Sequence, residues 1–185
     1  MHELACTPGQ TVGPFFHCVL PYTGDNRLVA DTHTDAIRLQ GTVYDGAGAA
    51  IPDALVEVWQ PGPDGRTVQQ PGSLRRNGAA FTGWGRCATD AAGHYSFTTL
   101  APGAPAAGRA AFFAITIFAR GLLNRLFTRA YLPQPNFDGE PLLASLDAAR
   151  RDTLVCHREP AGYRFDIHLQ GEQETVFLEY HGGPR

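Results

Sequence analysis

The residues able to do chemistry in this 185-residue chain are scattered rather than grouped. Its histidines are His2, His17, His33, His94, His157, His168 and His181. No two stand two apart, as ligands on one strand face would, or four apart, as ligands on one helix face would. A lone histidine in a soluble domain is ordinarily a surface or hydrogen-bonded core residue. A rebuilt metal site would have to pair His94 or His168 with Asp90 or Asp166, and nothing in their spacing recommends it. Ser73, Ser96 and Ser145 are not flanked by the glycines of a nucleophile elbow. The glycine-containing stretches do not run from a strand into a helix, as phosphate loops must. Cys6, Cys18, Cys87 and Cys156 are far apart and form no CxxC pair, and no apolar leader precedes them. The expectation is a cytoplasmic protein with reduced thiols, no catalytic residue of its own and no metal.

Hydrophobic residues make up 43% of the chain and charged residues 18%, and 21 Gly with 14 Pro favour short elements joined by turns. The net charge of -3 and singly scattered arginines offer no basic stripe, so nucleic acid is not an expected partner. The longest apolar run, Ala110 to Ala119, is of strand length, well short of the ~20 residues of a membrane-spanning helix. Period-2 alternation predicts strands over Ile37–Tyr44, Leu55–Gln60, Ala111–Ala119, Arg125–Leu132, Tyr163–Gln170 and Thr175–Tyr180. The turn residues Asp90 to Gly93 predict that Gly85–Thr89 and His94–Leu100 pair as a hairpin. A second hairpin is expected through Gly121 and Asn124. Proline at the start and leucines at helical spacing predict one short peripheral helix over Pro141–Arg150. The fold expected is all-β, a two-sheet β-sandwich of about eight strands spanning residues 35–185. Residues 1–34, rich in Pro, Gly and aromatics, form an irregular N-terminal arm that packs either on its own core or into a partner.

Four collinear stretches carry a family resemblance: Gly13–Phe16 (GPFF), Asp53–Gln60 (DALVEVWQ), Gly85–Gly103 (GRCATDAAGHYSFTTLAPG) and Arg125–Pro133 (RLFTRAYLP). Together they resemble the intradiol aromatic-ring dioxygenases. The TDAAGHYSFTTL stretch alone is also similar to transthyretin-like sandwich modules, which leaves a non-catalytic binding module as the alternative. In the catalytic chains of the family a ferric ion is held by two tyrosines and two histidines, hard donors suited to Fe(III). The matching positions here carry Thr67, Ala104-Pro105, Phe112 and Ala114.

The resemblance therefore implies an iron-free alpha-type subunit, whose homologous catalytic beta chain holds the Fe(III) at a shared interface. The reaction implied adds both atoms of O2 to a small aromatic acid, protocatechuate, giving 3-carboxy-cis,cis-muconate. The substrate-binding positions carried over are Thr11, Gly13 and Pro14 in the arm, and Arg129, whose guanidinium would attract the ring carboxylate. A turn and a strand salt bridge would account for the same residues. Phe15 stands where a tyrosine is often found, so no hydroxyl role is expected there.

Overall fold

Ile37–Tyr44 forms β1, in which Leu39, Gly41 and Val43 are buried while their neighbours are partly or fully exposed, as the alternation predicts. In the computed structural model, which describes residues 9–70 and 80–180, the other strands are β2 Leu55–Trp59, β3 Trp84–Ala88, β4 His94–Thr99, β5 Phe112–Phe118, β6 Leu126–Tyr131, β7 His157–Glu159, β8 Gly162–Arg164 and β9 Ile167–His168. His2, Cys6, Ser73 and His181 lie outside the described residues. One sheet has the order β4-β1-β8-β7, with β9 also pairing β1, and the other is the antiparallel sheet β3-β2-β5-β6. The fold is the expected all-β sandwich.

The core lies between the sheets. Leu39, Val43, Tyr95 and Phe97 from one face Val56, Val58, Phe113, Ile115 and Ile117 from the other. Each such side chain contributes roughly 1.5–3 kcal/mol on leaving water. Two of the buried polar side chains are satisfied by backbone: the Tyr95 hydroxyl donates to the Phe165 carbonyl, and Gln60 Nε2 donates to the Leu100 carbonyl at 2.9 Å.

The hairpin expected between β3 and β4 does not form. The turn itself is as predicted, with the Asp90 carboxylate accepting from the Ala92 and His94 N–H groups at 2.9 and 3.0 Å. It passes from one layer to the other, however: β3 pairs β2 and β4 pairs β1. The side chains explain this. β4 buries Tyr95, Phe97 and Thr99 from one side of the core, whereas β3 buries only Gly85 and directs Arg86 across to Glu57 of β2, 2.8 Å away. The second hairpin, β5–β6, is present with Ala114 opposite Arg129.

The expected helix is two short ones, α2 Pro141–Ala144 and α3 Ala148–Asp152, following α1 Phe15–Val19 in the arm. Asp147 separates α2 from α3, extended in backbone and capping α3 by accepting the Arg150 N–H at 2.9 Å. The expected strand Tyr163–Gln170 is broken at Asp166, whose side chain takes the Thr42 N–H at 2.9 Å. Thr175–Tyr180 is not a strand either. It follows the edge of β6, where the Leu178 N–H meets the Phe127 carbonyl at 2.7 Å and the Val176 carbonyl accepts the Thr128 hydroxyl at 2.8 Å.

Candidate functional site

Alternation decides what the outside of the four-stranded sheet presents. Since Val56, Val58, Phe113, Ile115 and Ala130 point into the core, the intervening side chains point away from it. The register then aligns Trp84, Trp59, Ala114 and Arg129 in one row across β3, β2, β5 and β6, with Phe112 opposite Tyr131 in the next. A second apolar cluster, Ala110, Tyr131, Leu143, Leu154 and Val176 with Phe112 packed against it, seats α2 and the segment that follows α3 over that corner.

Arg129 sits at the boundary between this cluster and the open sheet, its side chain 28% exposed. Its guanidinium carbon lies 4.4 Å from the Phe112 ring centroid, and its Nη1 donates to the Tyr131 hydroxyl at 3.1 Å. The Tyr131 hydroxyl in turn donates to Glu140 Oε1 at 3.2 Å. Glu140 is only 1% exposed and is gripped by Arg109 through Nε at 3.0 Å and Nη2 at 2.9 Å. Burial pushes the Glu140 carboxyl up, but Arg109, the Ala110 N–H and the Tyr131 hydroxyl outweigh it and hold the group below its ordinary range. Burial raises the Tyr131 phenol above its own.

The arm residues lie elsewhere on this sheet. The Val12 N–H, between Thr11 and Gly13, donates to the Leu122 carbonyl at 2.7 Å, just past the end of β5. Beyond Pro14, Phe16 packs on Phe118 with ring centroids 5.0 Å apart, His17 Nε2 lies 3.0 Å from the Thr89 carbonyl, and Arg86 Nη1 donates to the Leu20 carbonyl at 3.1 Å. Thr11 and Pro14 are exposed and Gly13 half-buried. Phe118 is four residues along β5 from Ala114, roughly 13 Å at strand rise. Thr11, Gly13 and Pro14 thus anchor at one end of the sheet and Arg129 near the other.

The rebuilt metal site does not assemble. His94 flanks β1 opposite Thr42, whereas His168 flanks its other side opposite Tyr44, on whose ring it stacks at 4.8 Å. Asp90 is occupied by its own turn and Asp166 by Thr42 and Arg164. A pocket of about 440 Å³ is lined by Asp152, His157, Asp166, His168 and Glu172 among others, but by no arginine. Its acidic wall would repel a carboxylate, and it shares no residue with the Arg129 cluster.

A family profile described as Dioxygenase matches residues 13–171. The chain is 36% identical to the protocatechuate 3,4-dioxygenase alpha chain of Burkholderia cepacia, covering 97% of this chain and 100% of that one. It is 38% identical to the alpha chain of Pseudomonas putida over 94% and 96% of the two. This chain belongs to the intradiol dioxygenase family. The Burkholderia cepacia beta chain is also similar, 34% identical over 76% of this chain and 67% of its own length. Among solved structures, the dioxygenase domain of a carbohydrate-binding fusion protein from Streptomyces sp. SirexAA-E shares the fold, with a TM-score of 0.55, 23% identity, and 79% and 87% coverage. The TDAAGHYSFTTL stretch falls inside the matched region.

Within this intradiol frame the positions matched to ligands come together. The loop after β2 holds Thr67, bridged to Pro61, and the Gly103 N–H binds the Gly62 carbonyl at 2.9 Å, bringing Ala104-Pro105 alongside. Ala114 is the cross-strand neighbour of Trp59, from which that loop departs. The backbone therefore brings these matched positions near one another, but their side chains are two apolar groups, a proline with an alanine, and a neutral hydroxyl. They do not fit a ferric ion. Among the described residues no group of three or more His, Cys, Asp or Glu is placed to hold a metal.

Sequence reasoning missed Tyr131, Glu140 and Arg109. Tyr131 was available in principle, being two residues from Arg129 on one strand face. Glu140 and Arg109 join the cluster from loops, where no periodicity marks them.

Proposed function

We propose that this chain is the iron-free alpha subunit of a heteromeric protocatechuate 3,4-dioxygenase, completing the substrate pocket of a homologous beta chain that carries the Fe(III). The observation that supports this most directly is Arg129, a partly exposed guanidinium opposite Ala114, one of the matched ligand positions, none of which carries a tyrosine or histidine. A chain built this way recognises but does not activate. The ferric ion of the partner would draw electron density from the bound catecholate so that the ring reacts with O2. Arg129 binds and orients the ring carboxylate, while Thr11, Gly13 and Pro14, at the other end of the sheet, belong to the interface with the beta chain and not to the surroundings of that carboxylate. None of the four takes part in bond breaking. A cytoplasmic location belongs to the same reading. Among the described residues no helix is long and apolar enough to cross a membrane.

The purified chain alone is expected to hold no stoichiometric iron and to be inert, and co-expression with the beta chain to give a coloured, active complex. Tight iron in the lone chain, measured by elemental analysis, would overturn the assignment. In the complex, Arg129→Ala is expected to raise KM for protocatechuate about 10- to 100-fold, the size of a lost charge-assisted contact, with little effect on catechol, which lacks the carboxylate. Equal effects on both substrates would remove Arg129 from recognition.

A further inference from the structure

We infer that Tyr131, set by Glu140, is a positioning residue that presents one edge of the Arg129 guanidinium to a single carboxylate. The inference rests on the reading of Arg129 given above and deepens it.

The direction of each hydrogen bond is forced. Arginine only donates, and an ionised carboxylate only accepts, so the Tyr131 hydroxyl must accept from Arg129 Nη1 and point its own hydrogen at Glu140 Oε1. The buried phenol is thereby locked in one orientation. The Arg129 guanidinium is then fixed twice, on its face by the Phe112 ring and at Nη1 by Tyr131. Among the described residues its Nε and Nη2 take no protein acceptor. These two share the side-on edge that grips a carboxylate bidentately. Arg109 shows the same edge in use, closing on Glu140 with Nε and Nη2.

Charge follows the same logic. Arg109 neutralises Glu140 at hydrogen-bond distance, whereas Arg129 Nη1 stands 3.9 Å from that carboxylate. Two guanidiniums with one carboxylate leave a single positive charge, located on Arg129, the member farther from Glu140. The cluster suits a monocarboxylate on a planar ring, and a neutral catechol gains nothing from it.

The test uses the alpha–beta complex, with protocatechuate and catechol as paired substrates and 4-hydroxybenzoate as a bound, unreacting carboxylate. Tyr131→Phe is expected to raise KM for protocatechuate and Kd for 4-hydroxybenzoate about fivefold or more, while kcat for protocatechuate and KM for catechol hold. Combined with Arg129→Ala, it should add almost nothing, because the group it positions is gone. Arg129→Lys, which keeps the charge and removes the side-on edge, should lose nearly as much as Arg129→Ala. A general loss of stability would instead raise both substrates' KM or lower kcat, and the unfolding midpoint of each variant reports it. If Arg129→Ala separates the two substrates but Tyr131→Phe does not, or if the double variant multiplies the two losses, positioning by Tyr131 is wrong and recognition by Arg129 stands. If Arg129→Ala fails to separate them, both fall.

Discussion

Glu140 shows how much one buried carboxylate can organise. It accepts two hydrogen bonds from Arg109 and one from Tyr131, and the balance of these against its own burial leaves it more acidic than an ordinary glutamate. A group whose folded-state pKa is depressed contributes stability that is present above its unfolded pKa and is lost as pH falls through the folded one. The chain is therefore expected to lose stability on acidification through and below the ordinary carboxylate range. Glu140→Gln, which keeps the shape but has no proton to take up, should flatten that part of the curve. Chemical denaturation of both proteins across acidic pH checks this, and parallel curves would show that Glu140 is not the group responsible. Near neutral pH the substitution should cost stability, since Arg109 and Arg129 would then face each other without an anion between them.

At the scale of elements, β1 is the strand on which the five-stranded sheet turns, pairing β4 on one side and β8 and β9 on the other. Gly41 lies where the chain between β8 and β9 comes closest, and a Cβ there would collide with the Phe165 carbonyl and approach the Tyr95 hydroxyl. Gly41→Ala is expected to destabilise by about 1–3 kcal/mol or more, the range of an overpacked core, with a thermal melt as the measurement. An unchanged midpoint would mean that β8 and β9 can retreat from β1 without penalty. The same region shows where the sequence stops being informative. Strands β1 and β5 were legible because the buried face of each is wholly apolar, so local period and tertiary burial agree. The β3–β4 turn was legible as a turn, but Asp90 and Gly93 specify a reversal of direction and say nothing about which sheet each arm joins. Thr175–Tyr180 alternates like a strand yet meets β6 through scattered bonds, because its partner's edge is shared with Leu154 and Cys156, which bond Tyr131. Strand β7, His-Arg-Glu, carries no apolar period at all and exists through its pairing with β8. Arg129 was found through family resemblance, and its supporting residues only by the fold.

For the molecule as a whole, the two faces of the sandwich differ in what they leave in water. Among the large apolar side chains that remain exposed, Trp59 at 51% lies in the same cross-strand row as Arg129, and Phe15 and Val19 project from the short helix of the arm that crosses the other end of that sheet. An aromatic half out of water in the same row as the proposed carboxylate-binding arginine, with Ala114 between them, is what a subunit interface would cover, and buried tryptophans are among the strongest contributors to such interfaces. The chain has two tryptophans, Trp59 and Trp84, which are direct cross-strand neighbours. Trp84 is already partly covered, with the Arg86 guanidinium 4.9 Å from its ring. When both are replaced by 5-fluorotryptophan, fluorine NMR of the lone chain is expected to show two signals, that of Trp59 carrying the larger solvent-isotope shift. Adding the unlabelled beta chain should abolish most of the Trp59 shift and alter Trp84 less, and Trp59→Ala should weaken the complex about 30-fold or more, as loss of a central anchor does. A Trp59 signal that keeps its full isotope shift in the complex would place the partner on another face. Arg129 would then be too far from any ferric centre to orient its substrate, and the carboxylate it meets would have to come from elsewhere.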